Sequence, residues 1–278
     1  MTVLRRFPAR LLLLELLLLL LALLFLYPFY LIAINSFKSF DQIMLDTIGW
    51  PDRISWENYA KAWVATNFPR VLLNSTLITV LSLAGLVVIA SMAAWRLTRY
   101  PGRWSHMLFL LFVSAMIIPF QSIMLPLVEV GKRLGLMDSI AGLVFMYFGF
   151  CISLSVFLFS GFVKSIPAEV EEAGYIDGCT THTLYWRIVF PLLKPVTATV
   201  LILNGLHIWN DFLMPLLMLR SKELHTIPIA TFSFFSQYER RWDMALPMLV
   251  MSLMPMLVFF LFTQKYMIKG VMSGSIKG

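Results

Sequence analysis

The sequence predicts an all-α, polytopic membrane protein with six transmembrane helices, and three observations carry that prediction. Of its 278 residues, 59% are apolar and only 13% charged, whereas a soluble domain runs at about half and about a quarter. Mean hydropathy is +0.81, more apolar surface than one soluble core of this size can bury. The apolar residues gather in stretches long enough to cross a hydrocarbon layer, which needs about 20 residues per helix: 11–34, 71–95, 107–128, 140–163, 189–213 and 244–266. Helices follow because open strand edges would go unsatisfied in lipid. The composition excludes a soluble enzyme and a nucleic-acid-binding domain, and the net charge of +7 points to membrane surface and cytoplasmic loops. No internal repeat or separate soluble domain is visible, so residues 1–278 read as one transmembrane domain.

The first span follows Arg5, Arg6 and Arg10, as a signal peptide would. Its Leu run is too long for a signal h-region and continues through Phe25-Leu26-Tyr27-Pro28 without a cleavage pattern, so it reads as an uncleaved span. Glu15 interrupts it near its start; a carboxylate reaching the interface and one with a buried partner are both open readings. The connection 35–70 is polar and carries Trp50-Pro51, Trp56 and Tyr59. Span two opens with Asn74 and Ser75, candidates for hydrogen bonds between helices. In span three Gln121 lies between Pro119 and Pro126, either as a contact along a solute path or as a packing hydrogen bond.

Between spans four and five lies the most informative segment, 165–187. Pro167 suits a first helical position, and Glu169, Glu171 and Glu172 complement a helix dipole. Val170, Ala173, Gly174 and Asp177 recur at helical spacing and form a narrow face of mostly small side chains. Asp177-Gly178 ends the helix, and Thr180 or Thr181 caps a second one leading into Arg187-Ile188-Val189-Phe190-Pro191. The prediction is a short cytoplasmic helix that another protein can approach closely; a solvated connector is the alternative.

Span five carries Asn204, His207, Asn210 and Asp211 on one wet stripe beside Trp209. Amides, an imidazole and an aromatic ring suit a neutral polar solute that offers hydrogen-bonding groups and an apolar face; a structural cap at the end of the span is the other reading. The link 214–243 follows. In span six Met244, Met248, Met251 and Met254 fall at helical spacing and pack. The ending 270–278 is glycine- and serine-rich and basic, and alone it should be disordered.

Lysine and arginine placement sets the orientation. With six spans, twelve of the 22 basic residues fall on the side of the termini and ten opposite; Arg96, Arg99 and Arg103 crowd one short loop on the first side. Both ends are expected in the cytoplasm. Cys151 and Cys179 form neither a disulfide framework nor a CxxC pair. The four histidines are never at HxxxH spacing, so no metal site is expected. No GxSxG, HExxH or paired intramembrane carboxylates occur, so no catalytic residue is assigned. Gly131-Lys132 lacks the rest of a phosphate-binding loop.

Glu172-Ala173-Gly174, Asp177-Gly178 and Ile188-Val189-Phe190-Pro191 together resemble the EAA loop of ABC-importer permeases. The surroundings are similar to the MalG-type permeases of the carbohydrate uptake family. These are Asn35-Ser36-Phe37-Lys38, Trp56-Glu57-Asn58-Tyr59, Asn74-Ser75, Arg99-Tyr100-Pro101-Gly102 and Ile118-Pro119-Phe120-Gln121, then Leu134-Gly135-Leu136-Met137-Asp138, Trp209-Asn210-Asp211-Phe212 and the Gly270-to-Gly278 ending. Gly174 and Cys179 stand where the family usually has Ala, and Phe190 where it usually has Leu. The resemblance covers nearly the whole chain and implies a type I ABC-importer permease fold in a bacterial inner membrane. It implies a second, MalF-like permease, two cytoplasmic ATPases and an extracytoplasmic sugar-binding protein as partners. ATP and Mg would sit on the ATPases and no cofactor on this chain. Glu172, Ala173, Gly174, Asp177 and Gly178 would couple to an ATPase, and the C-terminal tail would order against the ATPase pair. An importer of another solute shares the EAA motif, and a stand-alone secondary carrier would need buried mid-membrane charges, for which Asp211 is the one near candidate.

Overall fold

The computed structural model describes residues 9–235 and 241–275, with side chains for 11–235 and 241–264. Arg5 and Arg6 of the charge comparison and the last three residues of the tail lie outside the described residues. Every described element is helical. In order these are α1 (Ala9–Asn35), α2 (Phe40–Leu45), α3 (Glu57–Thr66), α4 (Phe68–Arg99), α5 (Arg103–Ala115), α6 (Phe120–Arg133) and α7 (Ile140–Val163). There follow α8 (Ala168–Ile176), α9 (Thr181–Leu184), a π-helical turn (Tyr185–Val189), α10 (Phe190–Leu192), α11 (Lys194–Asn210), α12 (Leu213–Met218), a 3₁₀ turn (Lys222–Leu224), α13 (Ile227–Phe232) and α14 (Trp242–Ser275). Four helices are long and apolar enough to cross a membrane, Leu11–Asn35, Phe68–Arg99, Ile140–Val163 and Trp242–Gln264; six spans result when each of two bent pairs counts as one.

Those bends depart from the straight spans expected at 107–128 and 189–213. α5 and α6 meet at 109° because Pro119, with φ −67° and ψ 141°, cannot continue the helix before it. Gln121 therefore sits in the first turn of α6, beyond a break, rather than midway along a span. The second bend, 72° between Thr181–Leu192 and Lys194–Asn210, falls at Leu193, flanked by Pro191 and Pro195. The π-helical turn ends two residues before Pro191, whose ring would otherwise strike the carbonyl four residues back. The fifth span also stops at Asn210, and α12, from Leu213, and α13 are helical where the sequence shows the end of that span and a link. At the far end, α14 carries the backbone through Ser275, where the sequence suggests coil.

The chain divides into two compact units, Met1–Phe68 with Thr231–Met254, and Pro69–Ala230 with Pro255–Gly278. In the first, the residues after α1 fold back on themselves through buried polar ties. The Asn35 amide donates to the carbonyls of Leu31 and Thr47 at 2.8 Å each, the Lys38 ammonium to that of Asp46 at 2.7 Å, and the Asn58 amide to that of Lys38 at 2.7 Å. Lys38 is 2% exposed, so the Asn-Ser-Phe-Lys stretch is a structural knot. Glu15 lies exposed on α1.

In the second unit α7 packs against α5 and α11, and buried residues of α4 and α7 share one hydrophobic core. Small residues at Ala90, Ser91 and Ala94 of α4 are fully buried and let neighbouring helices approach closely. Phe148 packs into the space above Gly85. Asn74 donates to the carbonyls of Glu223 (2.8 Å) and His225 (3.0 Å), and Ser75 accepts from the Ile227 amide at 2.9 Å. These two residues fasten the 223–227 segment to α4, a helix-to-loop tie in place of the helix-to-helix one expected.

Asp138 makes a comparable tie between the loop after α6 and the end of α12. Its carboxylate accepts from the amides of Arg220 and Ser221, 2.9 Å each, and from the Ser221 hydroxyl. That hydroxyl first, and then the two amides, hold the Asp138 carboxyl below the usual carboxylate range. Because the folded value is the lower one, the tie is fully present above the unfolded value, about 3.9, and is lost as pH falls through the lowered value. Amide exchange at Arg220 and Ser221 should stay slow from neutral pH down to about 4 and accelerate only below it; Asp138→Asn should remove that pH step.

Candidate functional site

The segment 165–187 folds as a helix fastened at both ends. Pro167 occupies the N-cap rather than the first helical position. At the other end the Cys179 amide donates to the Gly174 carbonyl (3.0 Å) and the Gly178 amide to that of Tyr175 (3.0 Å), with Gly178 at φ +80°. This is a Schellman closure, which needs a left-handed residue that glycine adopts without strain. Thr180 then caps α9 by accepting from the Thr183 amide at 3.3 Å.

One buried carboxylate holds α8 to α4. Glu171 is 6% exposed; one oxygen accepts from Arg99 Nε at 2.6 Å and the other from Trp95 Nε1 at 2.9 Å. Arg99 Nη2 also donates to the Ile166 carbonyl at 2.8 Å. Both carboxylate oxygens and two guanidinium nitrogens are thus engaged at the last turn of α4, whose basic end also suits its dipole. Trp95 packs on Tyr185 with ring centroids 5.3 Å apart, and the Tyr185 hydroxyl is 2.6 Å from that of Ser91. The π-helical turn and the end of α4 share one core with Phe159 and Val163 of α7, and α8 is tied to the edge of that core through Glu171.

The coupling residues read from the sequence divide between two faces. Glu172, Ala173, Asp177 and Gly178 are exposed, as is Val170. Gly174 is not: it is buried, and a Cβ there would lie 2.5 Å from Leu184 Cδ1 and 2.7 Å from Ile188 Cδ1. The expected single small face is therefore split, with Gly174 seating α8 on its own chain while the rest stay open. Ile176, 86% exposed, extends the outer face. Tyr175 Oη lies 3.3 Å from Tyr100 Oη, and that contact raises the Tyr100 phenol above its ordinary value. Sequence reading gave Glu171 only a dipole role and missed its clamp; the available signal was Trp95 and Arg99, four apart on one face of α4.

The polar stripe of span five also divides. Asn204 is buried and donates to Ser155 Oγ of α7 (3.0 Å) and the Val200 carbonyl (3.0 Å); it is a tie between α7 and α11 and faces no open space. Asp211 follows the last residue of α11; one carboxylate oxygen accepts from the Leu213 amide (3.1 Å) at the start of α12 and the other from the Tyr147 hydroxyl (2.9 Å). His207 and Asn210 are exposed. His207 stacks on Phe150 at 5.5 Å and 22°, and Phe150 meets Phe120 edge-on at 5.4 Å, beside exposed Gln121. Leaving a buried polar partner unpaired costs about 1–3 kcal/mol. Asp211→Leu, which orphans the Tyr147 hydroxyl, and Asn204→Leu should therefore both lower the yield of folded protein by size-exclusion chromatography. Uptake per assembled complex should stay near wild type for Asn204→Leu, and a selective loss of uptake at full yield would return Asn204 to the path.

Compared with known proteins, the chain matches the family described as "Binding-protein-dependent transport system inner membrane component" over residues 85–272. It is 38% identical to the probable starch degradation products transport system permease protein AmyC of Thermoanaerobacterium thermosulfurigenes, over 99% of this chain and 100% of that one. It is 34% identical to the melibiose/raffinose/stachyose import permease protein MelC of Bacillus subtilis, over 90% and 91% respectively. In fold it resembles a chain of a bacterial ABC transporter involved in import of the acidic polysaccharide alginate, with a TM-score of 0.79, 22% identity and coverage of 91% and 94%.

Proposed function

This chain belongs to the family of binding-protein-dependent transport system inner membrane components, and from that membership we propose that it is one permease half of an ATP-driven sugar importer. It is a multi-pass membrane subunit, and the stand-alone carrier reading is dropped. In the proposed complex a second permease completes the path, two ATPases bind ATP and Mg beneath, and an extracytoplasmic protein delivers the sugar; both termini and α8 face the cytoplasm. The observation that carries the coupling role is the geometry of α8, an exposed EAA-type helix locked to α4 by buried Glu171. Glu172, Ala173, Asp177 and Gly178 would meet the ATPase while Gly174 seats the helix from within. ATPase closure then reaches the spans as a rigid-body motion.

Support for sugar comes from the relatives' substrates and from the row of partly buried Phe120 and Phe150 with exposed His207, Gln121 and Asn210 beside them. Rings offer a face to the apolar side of a pyranose, and the neutral polar groups pair hydroxyls without burying a charge. The test is uptake of labelled malto-oligosaccharides, raffinose and arabino-oligosaccharides by the complete complex, with and without its binding protein. Binding-protein-dependent uptake of at least one is expected. Uptake of none, with binding-protein-dependent uptake of a non-carbohydrate solute, would overturn the sugar assignment.

A further inference from the structure

A pocket of about 190 Å³ lies where the ends of α4, α5 and α7 converge. It sits at the end of α4 that carries Arg99, and none of its lining residues belongs to α8 or to the aromatic row. α7 has 24 residues, roughly 36 Å at the helical rise, a little more than the hydrocarbon thickness. Its last turn, which supplies Ser160 and Lys164 to the pocket, therefore falls at headgroup depth.

Three features of the pocket point to an anion. Ser160 is 1% exposed, yet its hydroxyl has no hydrogen-bond partner, a loss that buried polar groups rarely sustain. α5 begins here at Gly102, which supplies no side-chain cap. A Cβ on Gly102 would meet nothing within 4 Å, so the space before the first α5 amides, which helix geometry leaves unpaired, is open. Two nitrogen-bearing side chains line the same space, His106 of α5 and Lys164 of α7. Lys164 forms no ion pair among the described residues, its ammonium lying 5.5 Å from the Phe109 ring, whereas Arg99 is committed to Glu171 and Arg96 lies over Tyr100 at 4.1 Å. Leu97 and Phe109 give the pocket an apolar wall.

We propose that this pocket binds a phosphate group, held by Lys164, the Ser160 hydroxyl and the opening amides of α5. An uncapped helix start paired with a cation is a ready phosphate cradle, and basic pockets between spans at this depth take anionic headgroups. The phosphate of an anionic phospholipid and free inorganic phosphate share this chemistry; the depth and the apolar wall accommodate the former.

The melting midpoint of the purified complete complex, titrated with phosphatidylglycerol, with phosphatidylcholine and with sodium phosphate against sodium chloride of equal ionic strength, tests this. Saturable stabilisation by phosphatidylglycerol and not by phosphatidylcholine is expected. Half-saturation should rise about fivefold in Lys164→Gln, the effect of one lysine at an anionic surface, and return in Lys164→Arg. Ser160→Ala, which removes only an oxygen, should weaken the same curve without lowering the ligand-free midpoint. Saturation by inorganic phosphate alone, with the same dependence on Lys164, supports the cradle and assigns it to the free anion. Curves that Lys164→Gln and Ser160→Ala leave unmoved, or equal stabilisation by both lipids, overturn the proposal.

Discussion

In the assembled complex, Glu171→Ala should reduce sugar-stimulated ATP hydrolysis and uptake together by at least about tenfold, while the subunit still inserts into the membrane. The substitution removes the acceptor of two donors at once, partly buried Arg99 Nε and buried Trp95 Nε1. Removing one partner of a buried ion pair typically costs about 3–5 kcal/mol, because the remaining charge is stranded. The hydrophobic core that holds α4 to α7 does not depend on that charge, so the damage should centre on how α8 is held. Glu171→Gln separates the parts of the clamp: it keeps an acceptor and the shape and loses the charge, so it should recover part of the stimulation. Basal ATPase activity and stimulated activity, measured side by side for both variants, give the result. Normal stimulation in a correctly assembled Glu171→Ala complex would show that α8 needs no clamp.

Gly174→Trp should abolish stimulation while Gly174→Ala changes little. A Cβ at this position already presses on Leu184 Cδ1 and Ile188 Cδ1, but both are ends of flexible side chains that can shift. For alanine, overpacking of about 1–3 kcal/mol is set against the roughly 1 kcal/mol gained by replacing a glycine inside a helix. An indole has no such room and must lift α8 from its seat. Because Gly174 faces inward, the loss reports on the seating of α8 and not on an obstructed outer surface. Asp177→Lys, which changes the exposed side and leaves the seat intact, tests that outer surface separately. Cross-linking of the ATPase to an exposed residue of α8 distinguishes the two: it should weaken in Gly174→Trp and be unchanged in Gly174→Ala.

How much was legible in the sequence depends on the range over which each feature is determined. The spans are local, set by runs of Leu, Val and Phe, and the α8 helix is announced by Pro167, the acidic first turn and Asp177-Gly178. The breaks are partly local: Pro119, Pro191 and Pro195 mark them, but a hydropathy window adds the residues on either side and reads one straight rod. Contacts between distant segments were not legible. Glu171 and Arg99 lie 72 positions apart, and nothing in the acidic helix distinguishes the buried carboxylate from its exposed neighbours. Asn204 shows a related limit. A polar residue in an apolar helix has the same pattern whether it faces a wet cavity or bonds to the next helix, and only Ser155 on α7 decides between them. Asp211 has the same ambiguity in the sequence, and its partners Leu213 and Tyr147 lie 2 and 64 positions away.

The 72° turn at Leu193 makes α9 through α11 an elbow with two unequal arms. Leu193 is fully buried; its amide donates to the carbonyls of Val189 (3.2 Å) and Phe190 (3.1 Å) and its own carbonyl accepts from the Thr197 amide (2.9 Å), so the corner residue is bonded into both arms. The short arm, Thr181–Leu192, touches the underside of α8; the long arm, Lys194–Asn210, carries His207 and Asn210 near its far end. At the helical rise the arms measure roughly 18 Å and 25 Å. Turning as one piece about Leu193, the elbow moves the tip of the long arm about 0.4 Å per degree against about 0.3 Å for the short one. So turned, it would act as a bell crank: a thrust across one arm would emerge in a different direction at the other, with its travel lengthened and its force reduced in the same proportion.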